Sequence, residues 1–196
     1  MLELAVLGLL HEAPLHGYEL RQRLKATLGT FRAFSYGSLY PTLRRMRDAG
    51  WIAEDEPDAA IVAGAPALTG RRGKVVYKLT ADGKEKLQEL LAEAGPSSWE
   101  DETFGVHFAL FSQTAPEVRV RILEGRRTRL EERREGVRSG LDRSRGRLDR
   151  YTLQLQEHGL ESVEREVRWL TELIDAERSN VPSQRTTTTQ GEPTNG

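Results

Sequence analysis

The chain has 196 residues and a formal net charge of −1; hydrophobic residues make up 37% and charged residues 30%. Apolar runs fall well short of the ~18 residues that a membrane-spanning helix needs, and the apolar N-terminus lacks the basic leader of a signal peptide. The absence of cysteine excludes disulfides, thiol catalysis and cysteine-ligated zinc. We therefore expect a cytoplasmic protein with a modest core and no membrane partner.

Apolar residues at helical spacing predict three helices near the N-terminus. The first covers residues 2–12, and the second begins near Gly17 and ends before Gly29. The third runs through residues 37–49 and carries Pro41 in its first turn, where a missing N–H costs little. The apolar face of the third helix consists of Leu39, Leu43 and Met46.

Two segments after the third helix have the composition of strands. Residues 51–57 and 74–80 flank a Gly/Ala/Pro-rich stretch, and the second segment is rich in β-branched and aromatic residues. They predict a two-stranded hairpin with a long tip at residues 58–72, after which Thr80 begins a fourth helix that ends before Gly95. A helix pair followed by a hairpin is the layout of a winged helix-turn-helix.

The rest of the chain is predicted to be helical. Residues 100–112 favour a short apolar helix, and Thr114-Ala-Pro-Glu117 has the pattern of a capping box that opens a long helix. That helix extends to about Glu157, and its glycines predict a break near residues 138–146. Its leucines repeat every seven residues, as in a coiled-coil seam; they include Leu123, Leu130, Leu141, Leu148 and Leu155.

A cleaner heptad follows Gly159, where apolar residues have a 3-4-3-4 spacing. Burying such a seam contributes about 1.5–3 kcal/mol per Leu or Ile. It can close on a second copy or on the long helix of the same chain, and we expect both kinds of contact. Trp169, beside the seam, is expected at an interface or in the core. The predicted dimerisation residues are Leu160, Val163, Val167, Trp169, Leu170 and Ile174.

The predicted fold is mainly α with a small β-hairpin wing. Residues 1–94 form an N-terminal winged helix-turn-helix DNA-binding domain, and residues 95–180 form a C-terminal helical dimerisation and effector region. Residues 181–196 are polar and free of aromatic side chains, and we expect them to be disordered.

The third helix is predicted to present a polar face opposite its apolar one. Side chains near the N-terminus of such a helix reach base edges, and arginines further along pair with guanine or phosphate. Basic residues also cluster at 71–74, in the predicted wing. A solvated helix whose arginines bind nothing is the alternative interpretation. The exposed face is expected to contain Ser38, Tyr40, Thr42, Arg44 and Arg45.

Three segments, LGLLHEAPLHGYEL, GSLYPTLRRMRDAGWI and GKVVYKLTADGKEKL, closely resemble the PadR family of bacterial transcriptional regulators, in that family's order. The resemblance covers residues 2–94. WEDETFGVHFALF and EREVRWLTELIDAER resemble, less specifically, the larger PadR subfamily, whose helical region ends in a dimerising helix. The wing tip is longer here than the family's usual turn.

The resemblance implies a homodimeric repressor that binds double-stranded DNA at an inverted-repeat operator. It also implies release by a small aromatic effector, for which Trp99, Phe104 and Phe108 are candidate lining residues; plain core packing is the alternative for these three. Independently of the resemblance, the arginines of the long helix suggest an anionic ligand, with a solvated face as the alternative. His16 is expected to be structural. The DNA-contact candidates are Tyr18, Tyr36, Ser38, Tyr40, Pro41, Thr42, Arg44, Arg45, Arg71, Arg72 and Lys74.

An enzyme is not expected, because no nucleotide-binding, nucleophile-elbow or metal-binding spacing occurs. We predict no metal, no cofactor and no catalytic residue. The alternative function is a winged helix used for protein contact without specific DNA binding.

Overall fold

The structure, a computed structural model, describes residues 1–28, 36–55 and 75–180. The three predicted N-terminal helices are confirmed. They are α1 (Leu2–Glu12), α2 (Gly17–Leu28) and α3 (Leu39–Asp48), the last preceded by a 3₁₀ turn at Tyr36–Ser38.

A three-stranded antiparallel sheet lies beside these helices. It contains β1 (Leu15–His16), β2 (Ile52–Asp55) and β3 (Val76–Leu79) in the order β1-β3-β2. The two strands of the predicted hairpin are confirmed, with Ile52 paired to Leu79. The third strand, β1, was not predicted, because two residues are too few to show an alternating pattern. The predicted tip, 58–72, lies outside the described residues.

The N-terminal core forms around α1. Leu4 to Leu10 are all buried in this helix, because α2, α3, α4 and β3 all contact it. A helix that is surrounded in this way is apolar on every face. The fourth helix, α4 (Ala81–Ala92), begins where predicted, and the Thr80 side chain caps it by accepting from the N–H of Gly83.

The C-terminal part is a long antiparallel hairpin of α6 (Pro116–Ser144) and α7 (Arg150–Asn180), preceded by α5 (Phe104–Ala109). The break between α6 and α7 falls at residues 145–149 and so overlaps the predicted break, 138–146, only at its end. Helix α7 continues through Gly159 without interruption. The predicted capping box is wrong. Ala115 is the N-cap of α6 and has no side-chain acceptor, while the Thr114 hydroxyl donates to the carbonyl of Leu110 at 2.9 Å.

The heptad of α7 closes on the same chain. Leu170 and Ile174 are fully buried, in a second core that α7 shares with α5 and α6. Two residues of the seam predicted for dimerisation, Leu170 and Ile174, thus pack within the chain, while Trp169 is 38% exposed. The leucine repeat of the long helix holds for Leu123, Leu130 and Leu141, which are buried, but Leu155 is 67% exposed.

The short helix α5 connects the two cores. Val106 belongs to the N-terminal core, whereas Phe104 belongs to the hairpin core. Leu110, just after α5, packs so closely on α1 that a Cβ built on Gly8 would lie 2.4 Å from its Cδ2 atom. The N-terminal core thus extends beyond the predicted domain boundary at residues 94 and 95, because Val106 and Leu110 belong to it.

Across residues 1–28, 36–55 and 75–180, no helix has both the length and the apolar character to cross a membrane. In the same ranges, acidic and histidine side chains form no group that could hold a metal ion.

Candidate nucleic-acid interface

Helix α3 has one buried and one exposed face. Tyr40 is 38% exposed, and Pro41, Arg44 and Arg45 are exposed as predicted. The prediction for Thr42 is wrong, because this side chain is only 2% exposed. The buried face of α3 is one residue wider than the apolar residues predicted, because it also includes Thr42. The Thr42 hydroxyl oxygen accepts from Nη2 of Arg45 at 3.2 Å. The buried set is Leu39, Thr42, Leu43 and Met46.

The C-terminal end of α3 is fastened to the base of the wing. Gly50 has a φ of +78°, a conformation that favours glycine, and it lets the N–H of Trp51 return to the carbonyl of Met46 at 2.9 Å. The Thr80 hydroxyl lies 2.6 Å from the Gly50 carbonyl and 3.0 Å from the Trp51 carbonyl, within donating distance of both. These bonds hold α3 in a defined position relative to the wing.

Tyrosine side chains meet where α2, α3 and β3 come together. A Cβ built on Gly17 would lie 3.4 Å from ring carbons of both Tyr40 and Tyr77, so the first residue of α2 leaves room for the two rings. Tyr77 is 7% exposed, whereas Tyr40 reaches the surface. Tyr18, next along α2, is 41% exposed, and its hydroxyl accepts from Nε2 of Gln22 at 2.7 Å. Exposed phenol groups of this kind can donate to phosphate oxygens.

The arginines of α3 differ in what they bind. Arg45 is paired with Glu3 of α1 at 3.3 Å, and Arg47 with Asp48 at 2.9 Å and Glu54 of β2 at 3.1 Å. Arg44 has no hydrogen bond or ion pair within the described part of the chain. Exposed pairs are weak, so a phosphate can replace Glu3 at Arg45.

The electrostatics of Tyr77 report on the same surface. Burial raises the pKa of the Tyr77 phenol, and the nearby Glu54 carboxylate and Tyr40 raise it further, while Arg47 and Arg44 act in the opposite direction. The phenol is therefore neutral and able to donate a hydrogen bond at physiological pH.

His16 has the structural role that was expected. It is 9% exposed, it pairs with Val76 in the sheet, and its backbone N–H donates to the Glu19 carboxylate at 2.9 Å. This bond ties the start of α2 to β1 and keeps His16 inside.

The structure places the Tyr40 ring beside Gly17, next to Tyr18 in the chain, and Arg44 close enough to Tyr77 to influence its phenol; Ser38 is the N-cap residue of α3. The carboxylates that neutralise Arg45 and Arg47 were not predicted, because Glu3 and Glu54 lie in other elements. Three predicted DNA contacts, Arg71, Arg72 and Lys74, lie outside the described residues. For a fourth, Tyr36, the structure describes the backbone but not the side chain.

Two of the candidate effector residues, Phe104 and Phe108, pack into the hairpin beside Trp169. Phe104 is 3% exposed; its ring lies 5.7 Å from that of Phe108 and 6.4 Å from that of Trp169, between centroids. Trp169 thus contacts α5 of its own chain. Trp99 lies elsewhere, against Gly125 of α6. A cavity of about 140 Å³ lies instead between α1, α2 and α5, with Leu9, Leu24 and Val106 in its walls.

The packing of α2 and α3 on α1, with the β2–β3 hairpin beside α3, defines a winged helix-turn-helix domain. Residues 6–89 match the family described as Transcriptional regulator PadR-like family. This range contains all three of the motifs that carry the resemblance.

Individual relatives extend this comparison. The Negative transcriptional regulator PadR of Bacillus subtilis (strain 168) is 30% identical over 97 residues, 49% of this chain and 48% of that protein. The chain thus aligns with about half the length of this curated relative. Similar solved structures include B. subtilis PadR in complex with operator DNA, 21% identical with a TM-score of 0.41, and with p-coumaric acid, 20% identical with a TM-score of 0.40. Each alignment covers 90% of this chain and 98% of the other.

Proposed function

We propose that the chain is a sequence-specific DNA-binding transcriptional regulator, a repressor, whose α3 enters the major groove. The observation that carries the proposal is the exposed face of α3, where Tyr40 and Arg44, which has no ion pair with any described residue, project from a helix that is buried on its other side. The PadR-like match over residues 6–89 supports it.

The test is an electrophoretic mobility shift or anisotropy titration with DNA from upstream of the gene. Arg44→Gln is expected to weaken specific binding about 5- to 150-fold, or about 1–3 kcal/mol, if Arg44 reads a base. If Arg44→Gln instead weakens binding equally on all DNA sequences, and the slope of log affinity against log salt concentration falls by about 1, Arg44 contacts a phosphate. Arg143→Gln is the matched control, because this exposed arginine lies at the far end of α6 and loses the same charge.

A parent protein that shifts no promoter fragment at low salt would contradict DNA binding. The winged helix would then serve protein contact, the alternative function.

The active species is proposed to be a homodimer on an inverted repeat. Exposed apolar side chains at the start of α7 support it, since Tyr151 is 78% and Leu155 67% exposed, and exposed apolar patches often mark interaction surfaces. Sedimentation should give a dimer mass for the parent and a monomer for Leu155→Glu. A monomeric parent at micromolar concentration would contradict the dimer.

The cavity between α1, α2 and α5 is proposed to bind a small aromatic acid. Its walls are mostly apolar, and Arg23 and Glu12 both lie in the lining, paired at 3.7 Å; an acid ligand would replace Glu12 at Arg23. A volume near 140 Å³ suits one aromatic ring. With p-coumaric acid as the probe, binding measured by calorimetry should weaken in Arg23→Gln. Equal affinity of the variant and the parent, or no binding to the parent, would refute this site.

A further inference from the structure

A second attachment joins the winged helix to the α6–α7 hairpin, separate from the one through α5. It involves the linker, which we define as residues 93–103, between α4 and α5. Trp99 and Asp101 fasten this linker to α6. The Trp99 ring lies against Gly125 so closely that a Cβ there would be 2.5 Å from the ring's Cδ2 atom. Gly125 therefore admits the ring because it has no side chain.

Arg126 binds the linker and α7 at the same time. Its Nη1 atom donates to the Trp99 carbonyl at 3.2 Å and also to the Asp101 carboxylate. Its Nε and Nη2 atoms donate to the same oxygen of Glu166 on α7, at 3.0 and 2.8 Å. The guanidinium carbon lies 5.3 Å from the centroid of the Phe104 ring at the start of α5. One side chain thus contacts the linker, α5 and α7 from α6.

The environment of Arg126 favours one geometry. Its side chain is 8% exposed, while Asp101 is 58% and Glu166 34% exposed. A buried guanidinium is stable only where its donors are met, and its planar fork fixes the direction of each bond. The Arg126 hydrogen bond is the largest influence that lowers the pKa of the Asp101 carboxyl, so the pair is charged at neutral pH.

We propose that Arg126 is a positioning residue that fixes the orientation of the winged helix on the hairpin. The joint at α5 places Val106 and Leu110 in the N-terminal core, and Gln113 donates to the Gly8 carbonyl at 3.3 Å. The linker attachment at Arg126 lies at a second point, on the other side of Phe104, and restricts rotation of the domain about the first.

The functional consequence rests on the proposed function. In a homodimer on an inverted repeat, the separation of the two α3 helices determines the accepted half-site spacing. That separation depends on how each winged helix sits on its hairpin. Arg126, which touches no DNA, therefore selects the spacing of the half-sites rather than their base sequence.

The orientation can be measured without DNA. Because the chain has no cysteine, spin labels can be placed at Lys25→Cys on α2 and Glu132→Cys on α6, both exposed positions. Labelled chain is mixed with excess unlabelled chain, so that pulsed electron resonance reports distances within one chain. We expect a narrow distance distribution in the parent and a broader one in Arg126→Gln.

Asp101→Asn and Arg127→Gln sharpen this experiment. Asp101→Asn changes an exposed side chain, leaves the bond between Arg126 and Glu166 in place, and should also broaden the distribution while the protein stays folded. Arg127→Gln is the matched control, because within the described ranges Arg127 has a single ion pair, with Glu131 on its own helix at 3.9 Å, and the distribution of this variant should match the parent's. Distributions of equal width in the parent and in folded Asp101→Asn would overturn the proposal.

A DNA titration then tests the consequence. Inverted repeats that differ only in spacer length should differ roughly tenfold or more in affinity for the parent, because only a matching spacing engages both half-sites. Asp101→Asn should reduce that discrimination and keep its affinity for a single half-site. Equal discrimination in both proteins would refute the positioning role. A parent that binds no repeat would refute the proposed function, and the spin-label result would still decide the role of Arg126.

Discussion

Replacing Gly83 with alanine should destabilise the winged helix at the base of the wing. Gly83 is in the first turn of α4, under the start of β2. A Cβ there would lie 1.9 Å from the Trp51 carbonyl oxygen and 2.9 Å from Cδ1 of Leu79. Carbon and oxygen atoms approach no closer than about 3.3 Å in favourable contacts. The strand must therefore move away from α4 by more than about 1 Å to admit the methyl group.

The cost follows from the contacts that such a shift disturbs. Overpacking of this kind costs about 1–3 kcal/mol. Loss of the bond from the Thr80 N–H to the Trp51 carbonyl, 3.1 Å long, adds about 1 kcal/mol. The helix preference of alanine over glycine offsets up to about 1 kcal/mol. We expect a net loss of about 1–3 kcal/mol in the free energy of unfolding.

Urea denaturation followed by circular dichroism at fixed protein concentration measures this loss. Gly136→Ala is the control, because a Cβ at that exposed position of α6 meets nothing within 4 Å, and it should stabilise by up to about 1 kcal/mol. The same chemical change thus has opposite signs at the two sites. A Gly83→Ala protein as stable as the parent would refute this reasoning about the packing of β2 on α4.

Other consequences of the packing can be measured in the same assay. Thr80→Val removes the cap of α4 and should cost about 0.5–2 kcal/mol; an unchanged urea midpoint would argue against the cap. Burial lowers the pKa of His107 to about 4 from 6.5, so the unfolded chain takes up a proton first and stability should fall by about 3 kcal/mol as pH falls from 6.5 to 4. His107→Leu should lack that contribution, and a parent-like pH dependence in this variant would contradict it. Gly8→Ala should destabilise the parent but much less a chain that already carries Leu110→Ala, because the two side chains would occupy the same space; additive losses would exclude that contact.

Much of the fold could be predicted from local pattern. The three N-terminal helices, the two strands of the hairpin and the start of α4 depend on apolar spacing, on glycine and on a threonine cap, all of which act within a few residues. The two-residue strand β1 could not be predicted, because it exists only through its pairing with β3. The capping box at Thr114 failed for a different and local reason, since α6 begins one residue later, with Ala115 as its N-cap, and the Thr114 hydroxyl donates to the Leu110 carbonyl four residues earlier.

The candidate interface was predictable as a helix but not as a set of free side chains. Spacing placed Tyr40 and Arg44 on the outer face of α3. It misplaced Thr42, because the width of the buried arc depends on how closely α3 packs on its neighbours. It also could not show that Arg45 pairs with Glu3, 42 residues earlier in the chain, whereas Arg44 has no such pair among residues 1–28, 36–55 and 75–180.

The sequence by itself determined the class of domain, because each motif encodes a local element and their order defines a winged helix. Tertiary structure alone decided which partners meet. The apolar heptad around Leu170 specifies burial but not what buries it, and the hairpin closes it within the chain. Arg126 resembles the other arginines of α6 in sequence, yet only its position beside Trp99, Asp101 and Glu166 buries it. Periodicity predicts which face of its own helix a residue occupies. The ion pairs that a residue forms, and the orientation of one helix on another, depend on elements that are far away in the chain.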